Sequence, residues 1–208
     1  MRLAPQASPG TDAEALATLL QTRQTILPRR LGEPGPEGAE LHALLSAAGH
    51  APDHGRLLPW RLVLVPQQAR PALGEAFAQA LCERDPAANS EELARARDKA
   101  QRAPLLMLVV VDETGGDPDI PAAERVLSAG CAVQNLLLMA TALGYGSALT
   151  SGKALASAPL RAMFALRDGE RALCFVSVGT VLSRKDARER PLPAQYVSTL
   201  AAGQARTP

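Results

Sequence analysis

The chain lacks paired cysteines, an excess of either charge and a long unbroken apolar run, and each absence removes a class of function. Its three cysteines, Cys82, Cys131 and Cys174, lie far apart with no CxxC spacing. Neither a zinc site nor a disulfide framework is expected, and a reducing compartment fits better. Lys and Arg number 22 against 21 Asp and Glu, a formal net charge of +1, with the signs interspersed. Nucleic-acid binders instead gather positive charge on one face. The residues ahead of Asp12 hold no apolar segment of the kind that opens a secretion signal. The longest apolar stretch, Ala129 to Leu143, is interrupted by Gln134 and Asn135 and reads as too short to span a bilayer. No internal repeat, no Gly-x-Gly-x-x-Gly and no Ser-His-Asp or Cys-His arrangement is evident. These absences predict a cytoplasmic protein with neither a membrane nor a nucleic acid as partner.

What is present is an apolar fraction of 47% in 208 residues, enough for one domain with appended arms. The pattern predicts a tail over 1–11, a domain over 12–182 and an arm over 183–208 that is disordered or packed on a partner. Asp12 is placed to cap a helix running through Leu16, Leu19 and Leu20 to about Arg23. The Pro- and Gly-rich stretch from Pro28 to Gly38 breaks it. Helical spacing returns from Glu40 to about Ala48, from Ala69 to Leu81, from Glu91 to Gln101 and from Ala158 to Leu166. Strands are expected at Arg61 to Val65, Ala103 to Asp112, within Gly144 to Gly152, and at Ala172 to Gly179. The run through Leu105 and Val111 does not alternate, as expected of a strand covered on both faces. Ala122 to Leu143 should be a long helix that is apolar nearly all round. Such a helix must be buried in a core or against another subunit. In so small a chain that points to a homodimer.

The segment from His50 to Trp60 concentrates two histidines, two prolines and the only tryptophan immediately before a strand. Proline fixes its own φ and pushes its predecessor toward extended backbone. A rigid loop carrying polar side chains beside a strand is a common place for a ligand site.

Several pieces recur here in a familiar order. They are Arg23-Gln24-Thr25 after the first helix, Ala51-Pro52-Asp53-His54 and Pro59-Trp60 before a strand, and the strand from Arg102-Ala103-Pro104 to Val111. A long helix, Gly144-Tyr145-Gly146 and Val178-Gly179-Thr180 follow. Over about Leu16 to Leu182 the chain resembles the nitroreductase family of FMN-dependent oxidoreductases, most closely its small members. The resemblance implies an α+β fold with a central mixed sheet flanked by helices, in a domain-swapped homodimer. It implies FMN as cofactor, NADH or NADPH as electron donor, and a nitroaromatic, quinone or related small molecule as acceptor, reduced by ping-pong hydride transfer. The flavin carries the chemistry, so no catalytic acid, base or nucleophile is required.

By the same resemblance the FMN-binding residues are Arg23, Gln24, Thr25, His50, His54, Leu149, Thr150, Ser151 and Arg184. Arg23 would hold the phosphate, to which guanidinium offers a planar donor fork, and Arg184 or Lys185 would supplement it. Gln24, His50 and Thr150 stand where the family carries arginine. Either the basic residues of the arm, Arg188 and Arg190 among them, compensate, or FMN is held more weakly. On the residues alone, Arg23 also reads as a cation at a helix C-terminus, His50 as a helix cap, Cys131 as buried packing, and Gly144 to Gly146 as a helix stop and turn. A protein that binds and stores flavin with little turnover is the alternative function.

Overall fold

The computed structural model describes residues 10–186 and 188–200. The first helix, α1 (Thr11–Thr22), starts two residues earlier than its sequence signal suggests: Gly10 rather than Asp12 occupies the N-cap, and Asp12 lies in the first turn. The Pro- and Gly-rich stretch after it contains a strand that the sequence hides, β1 (Leu31–Gly32), too short to show alternation. Then come α2 (Gly38–Ala48), β2 (Trp60–Leu64), α3 (Arg70–Arg84), α4 (Ser90–Asp98) and β3 (Leu105–Asp112). The chain continues with α5 (Ala122–Ala142), β4 (Gly146–Thr150), α6 (Ala158–Met163) and β5 (Glu170–Val181).

The sheet is built around β5, which pairs with β1, β3 and β4, while β2 pairs with the far side of β3. All four ladders are antiparallel. The parallel element is a bridge between Thr25 and Ser147. The central register sets Met107 opposite Val176 and Val109 opposite Cys174, with a bulge between Val109 and Val110.

Because side chains alternate across a strand, the sheet feeds two cores. Met107, Val109, Val176 and Val178 meet α2 and α5, with Leu44, Leu136 and Ala140 fully enclosed. Leu106, Leu108, Val110 and Phe175 meet α3 and α6 through Leu73 and Leu160. This is why β3 is apolar without alternation.

The helices end where their capping chemistry dictates. In α4, the Asn89 side chain accepts from the Glu92 amide and the Glu92 carboxylate from the Asn89 amide, each at 3.0 Å, a reciprocal capping box. At the end of α5, Gly144 takes φ +85°. Its amide donates to Thr141 and that of Tyr145 to Ala140, a Schellman closure that favours glycine there. Gly146 follows because a Cβ would lie within 3.0 Å of Val181, Leu31 and Ile26.

At 21 residues α5 is long and apolar enough to cross a bilayer, longer than its interrupted sequence run suggests. Its inner face nevertheless packs on α2 and the sheet, and Arg125 and Ser128 are buried with it. Its outer face keeps Leu127 at 68% exposure. Cys131 is half-buried rather than enclosed. The enclosed thiol is Cys174, whose burial pushes its pKa up to about 11, which makes it a packing group rather than a nucleophile.

Candidate functional site: a cationic cavity on the α3 face of the sheet

Two sequence-distant segments meet because one is stitched alongside the other. After α1 the chain runs beside β4, where Thr25 bridges Ser147 and the Ile26 amide donates to the Ser147 carbonyl at 2.9 Å. Parallel travel from that point brings Leu27 level with the end of β4. There Thr150 and Ser151 turn through Gly152 into a short 3-10 segment, Lys153–Ala156.

Leu27, Pro28 and Arg29 with Thr150 to Leu155 form one wall of a cavity of about 610 Å³. Its floor is the sheet, through Leu106, Phe175 and Ser177, and its opposite wall carries Phe77, Leu81, Arg84, Ala96, Lys99 and Arg102. The volume lies within the roughly 300–1,000 Å³ usual for small-molecule sites. Five basic residues line it, Arg29, Arg84, Lys99, Arg102 and Lys153, and no carboxylate does. Only Arg102 has an acidic partner among the described residues, Asp98 at 2.8 Å.

The far wall owes its position to Arg70, which is 1% exposed. From the start of α3 its guanidinium donates to the carbonyls of Val65 at 2.9 Å, Ala100 at 2.8 Å, Ala103 at 3.4 Å and Pro104 at 3.0 Å. That fork clamps the segment bearing Lys99 and Arg102 and holds Ala103 at φ +70°.

Arg23 lies just ahead of the near wall. Its carbonyl accepts from Nη2 of Arg190 at 2.8 Å. Burial first, and then the charge of Arg190, push the Arg23 guanidinium below its ordinary pKa. Neither arginine has a carboxylate partner among the described residues. Two cations brought together without a counter-charge suit an anion.

The remaining expected residues are spread out. Gln24 is half-buried and Arg184 exposed, and neither lines the cavity; the arm reaches Arg23 through Arg190, six residues further on. Leu149 is 43% exposed and, by strand alternation, points away from the face to which Thr150 contributes. His50 is exposed in the turn after α2, its amide donating to the Ala47 carbonyl at 3.2 Å. His54 Nδ1 lies 2.7 Å from the Glu124 carboxylate in the first turn of α5. Neither histidine lines the cavity of its own chain.

The loop that carries them departs from what its prolines predict, because Leu58, which precedes Pro59 and should on that ground be extended, takes φ +46°. Asp53 accepts from the Leu58 amide at 2.7 Å and holds Arg56 and Leu58 at positive φ. Its other carboxylate oxygen is buried with no partner among the described residues. Trp60 is a packing residue whose indole donates to Ser128 Oγ at 3.1 Å.

The architecture is that of known nitroreductase-like structures. A nitroreductase-like family protein from Bacillus cereus superposes with a TM-score of 0.75 over 97% of this chain and 100% of that one, at 19% identity. A nitroreductase with bound FMN from Bacteroides fragilis NCTC 9343 does so with a TM-score of 0.66 over 89% and 98%, at 17% identity. Sequence comparison goes further: residues 20–180 match the profile of the Nitroreductase family, and the chain belongs to it. Escherichia coli K12 has a relative named "Putative NAD(P)H nitroreductase YdjA", 33% identical over 189 residues, which span 89% of this chain and 98% of that one. A Haemophilus influenzae protein named "Putative NAD(P)H nitroreductase" is 32% identical over 169 residues, or 81% and 90%.

Proposed function

We propose that this protein is an FMN-dependent oxidoreductase that draws electrons from NADH or NADPH and passes them to a nitroaromatic, a quinone or a related small acceptor. The observation that carries this reading is the couple Arg23 and Arg190, which has no carboxylate partner among the described residues, together with a cavity lined by five basic residues and no acid. The donor set fits FMN: two guanidinium groups for a phosphate, the Thr25 hydroxyl beside them, and a largely apolar floor for a flat ring system. The FMN held by the Bacteroides fragilis structure and the relatives' names support the same cofactor and donor. A bound FMN would supply the two-electron hydride chemistry that links the nicotinamide donor to the acceptor.

In this reading the protein holds, orients and polarises. Arg23 and Arg190 hold the phosphate. The backbone from Thr150 to Gly152 supplies a fixed edge for the ring. Arg29 and Lys153 stabilise negative charge that builds during reduction, and preorganised cations do this without reorganising at the moment of reaction. They also offset the charge that Gln24, His50 and Thr150 do not provide. We place a second copy of the chain against α5, from which His50 and His54 would reach the neighbouring cavity.

The test is a visible spectrum of the purified protein with FMN, followed anaerobically by NADH and then NADPH. A bound-flavin spectrum that bleaches with either nucleotide is the expected result. Bound flavin that stays oxidised with both would replace the enzyme reading with flavin storage. Failure to retain flavin at all would overturn the cofactor assignment.

A further inference from the structure

Acidic and basic residues are almost equal in number along the chain, 21 and 22, yet every charged residue lining the cavity is basic. The cations fall in separate places. Arg29 and Lys153 stand on the near wall, and Arg84, Lys99 and Arg102 on the wall made by α3, α4 and the turn after it. Arg102 forks onto Asp98 at 3.0 and 2.8 Å, whereas Arg84 and Lys99 have no acidic partner among the described residues. The Arg23 and Arg190 couple lies outside the lining and suffices for one phosphate. The far wall therefore retains positive charge facing the cavity after the cofactor's phosphate has been matched.

We infer that Arg84 and Lys99 form a second anion subsite, which selects a reaction partner bearing an oxyanion. This rests on the cofactor reading above. The shared chemistry is a carboxylate or a phosphomonoester, and it has two possible sources: an acceptor that carries a carboxylate, or a nicotinamide donor that carries a 2′-phosphate. Arg84 and Lys99 are both exposed at the cavity wall, where an opposite charge steers the ligand in and helps to hold it. The competing role is a purely local one, in which Arg84 and Lys99, each at a helix C-terminus, only complement the helix dipole.

The experiment is calorimetric binding to the full chain, with and without added FMN. It uses two probe pairs that differ by the anionic group: 4-nitrobenzoate against 4-nitrobenzyl alcohol, and NADP+ against NAD+. In at least one pair the oxyanion-bearing member binds about tenfold tighter, the worth of one charge-assisted contact. That advantage shrinks as salt is raised and disappears in the Arg84→Ala/Lys99→Ala double variant. It survives in Arg95→Ala, which removes a cation paired with Glu91 outside the cavity. A preference in the nitro pair assigns the subsite to the acceptor, and one in the nucleotide pair assigns it to the donor. Equal affinities within both pairs, or a preference that persists in the double variant, overturn the inference. So does a double variant that only melts earlier, which is the helix-dipole outcome. Flavin retained without any oxyanion preference sinks the subsite alone. Flavin not retained sinks the cofactor reading, and the subsite is then judged on the flavin-free chain.

Discussion

Arg190 reaches back across the fold to donate a hydrogen bond to the carbonyl of Arg23, 2.8 Å away, and so lays a second guanidinium beside the first. Like charges repel, and the proximity of Arg190 is one of the two causes that lower the Arg23 pKa. A pair of this kind costs stability until an anion arrives between its members.

Arg190→Ala should accordingly weaken FMN binding by about tenfold to a hundredfold, the worth of one or two charge-assisted hydrogen bonds. Flavin fluorescence quenching gives the dissociation constant. The melting temperature without FMN should change little, while the rise produced by saturating FMN should shrink, since a ligand stabilises in proportion to the logarithm of its saturation. Arg184→Ala serves as the contrast and should leave both quantities unchanged. Equal effects from the two variants would mean that the arm contributes only diffuse charge.

Arg70 is a buried cation satisfied by four carbonyls rather than by a carboxylate. Arg70→Met fills similar space but strands those acceptors, each of which loses a partner it cannot replace with water. Chemical denaturation should show a loss of about 3–5 kcal/mol. Arg70→Lys keeps the charge but not the fork and should recover only part of that loss. Because the same carbonyls position Lys99 and Arg102, flavin binding in the lysine variant should fall as well. A lysine variant with wild-type affinity would show that the far wall holds itself in place.

Glu170 opens β5 with its side chain 1% exposed, gripped by Arg61 at 2.8 and 3.0 Å and by Arg167 at 2.9 Å. The hydrogen bond from Arg61 is the main reason its carboxyl is held well below the usual range, and the Arg167 side chain and amide add to it against the cost of burial. A depressed carboxylate stabilises the fold above the unfolded pKa of about 4.3 and loses that contribution as pH falls toward the folded value. Wild-type melting temperatures should therefore drop steeply below about pH 4.5. Glu170→Gln should cost about 2–4 kcal/mol at pH 7 and flatten that acid limb. A parallel limb in the variant would assign the acid sensitivity to other carboxylates.

Some of this was legible in the sequence because local chemistry determines it. β3 announces itself by an apolar run that only a doubly covered strand tolerates, and α5 by its length and its closing Gly144. The two-residue β1 has no periodicity to read and exists only because β5 runs on to Val181 and offers it an edge. Thr150 and Ser151, which the family resemblance marks as flavin-binding, line the cavity. Arg190 was not distinguishable from Arg184, Lys185 or Arg188, since an aperiodic basic arm carries no signal of which cation turns inward. Lys99 and Arg102 stand at the cavity because Arg70 grips the carbonyls of Ala100, Ala103 and Pro104, 30 to 34 residues along the chain, a contact that no local pattern announces. The pairing of His54 with Glu124 joins residues 70 positions apart, beyond the reach of any local pattern.

The last prediction concerns what covers α5. Leu127 stands 68% exposed on its outer face, and α1, which packs against α5, leaves Leu16 and Leu20 about half exposed. Exposed apolar side chains on two packed helices are candidates for an association site, and a self-complementary patch on two copies closes into a dimer. Light scattering behind size exclusion should return twice the chain's mass, and Leu127→Glu should return the single mass at micromolar concentration. Since His50 and His54 lie outside the cavity of their own chain, the monomerised variant should also bind FMN more weakly although every lining residue remains. The buried oxygen of Asp53, without a partner among the described residues, points the same way, because a second chain can supply a donor. A wild-type monomer that binds flavin fully would show instead that one chain makes a complete site.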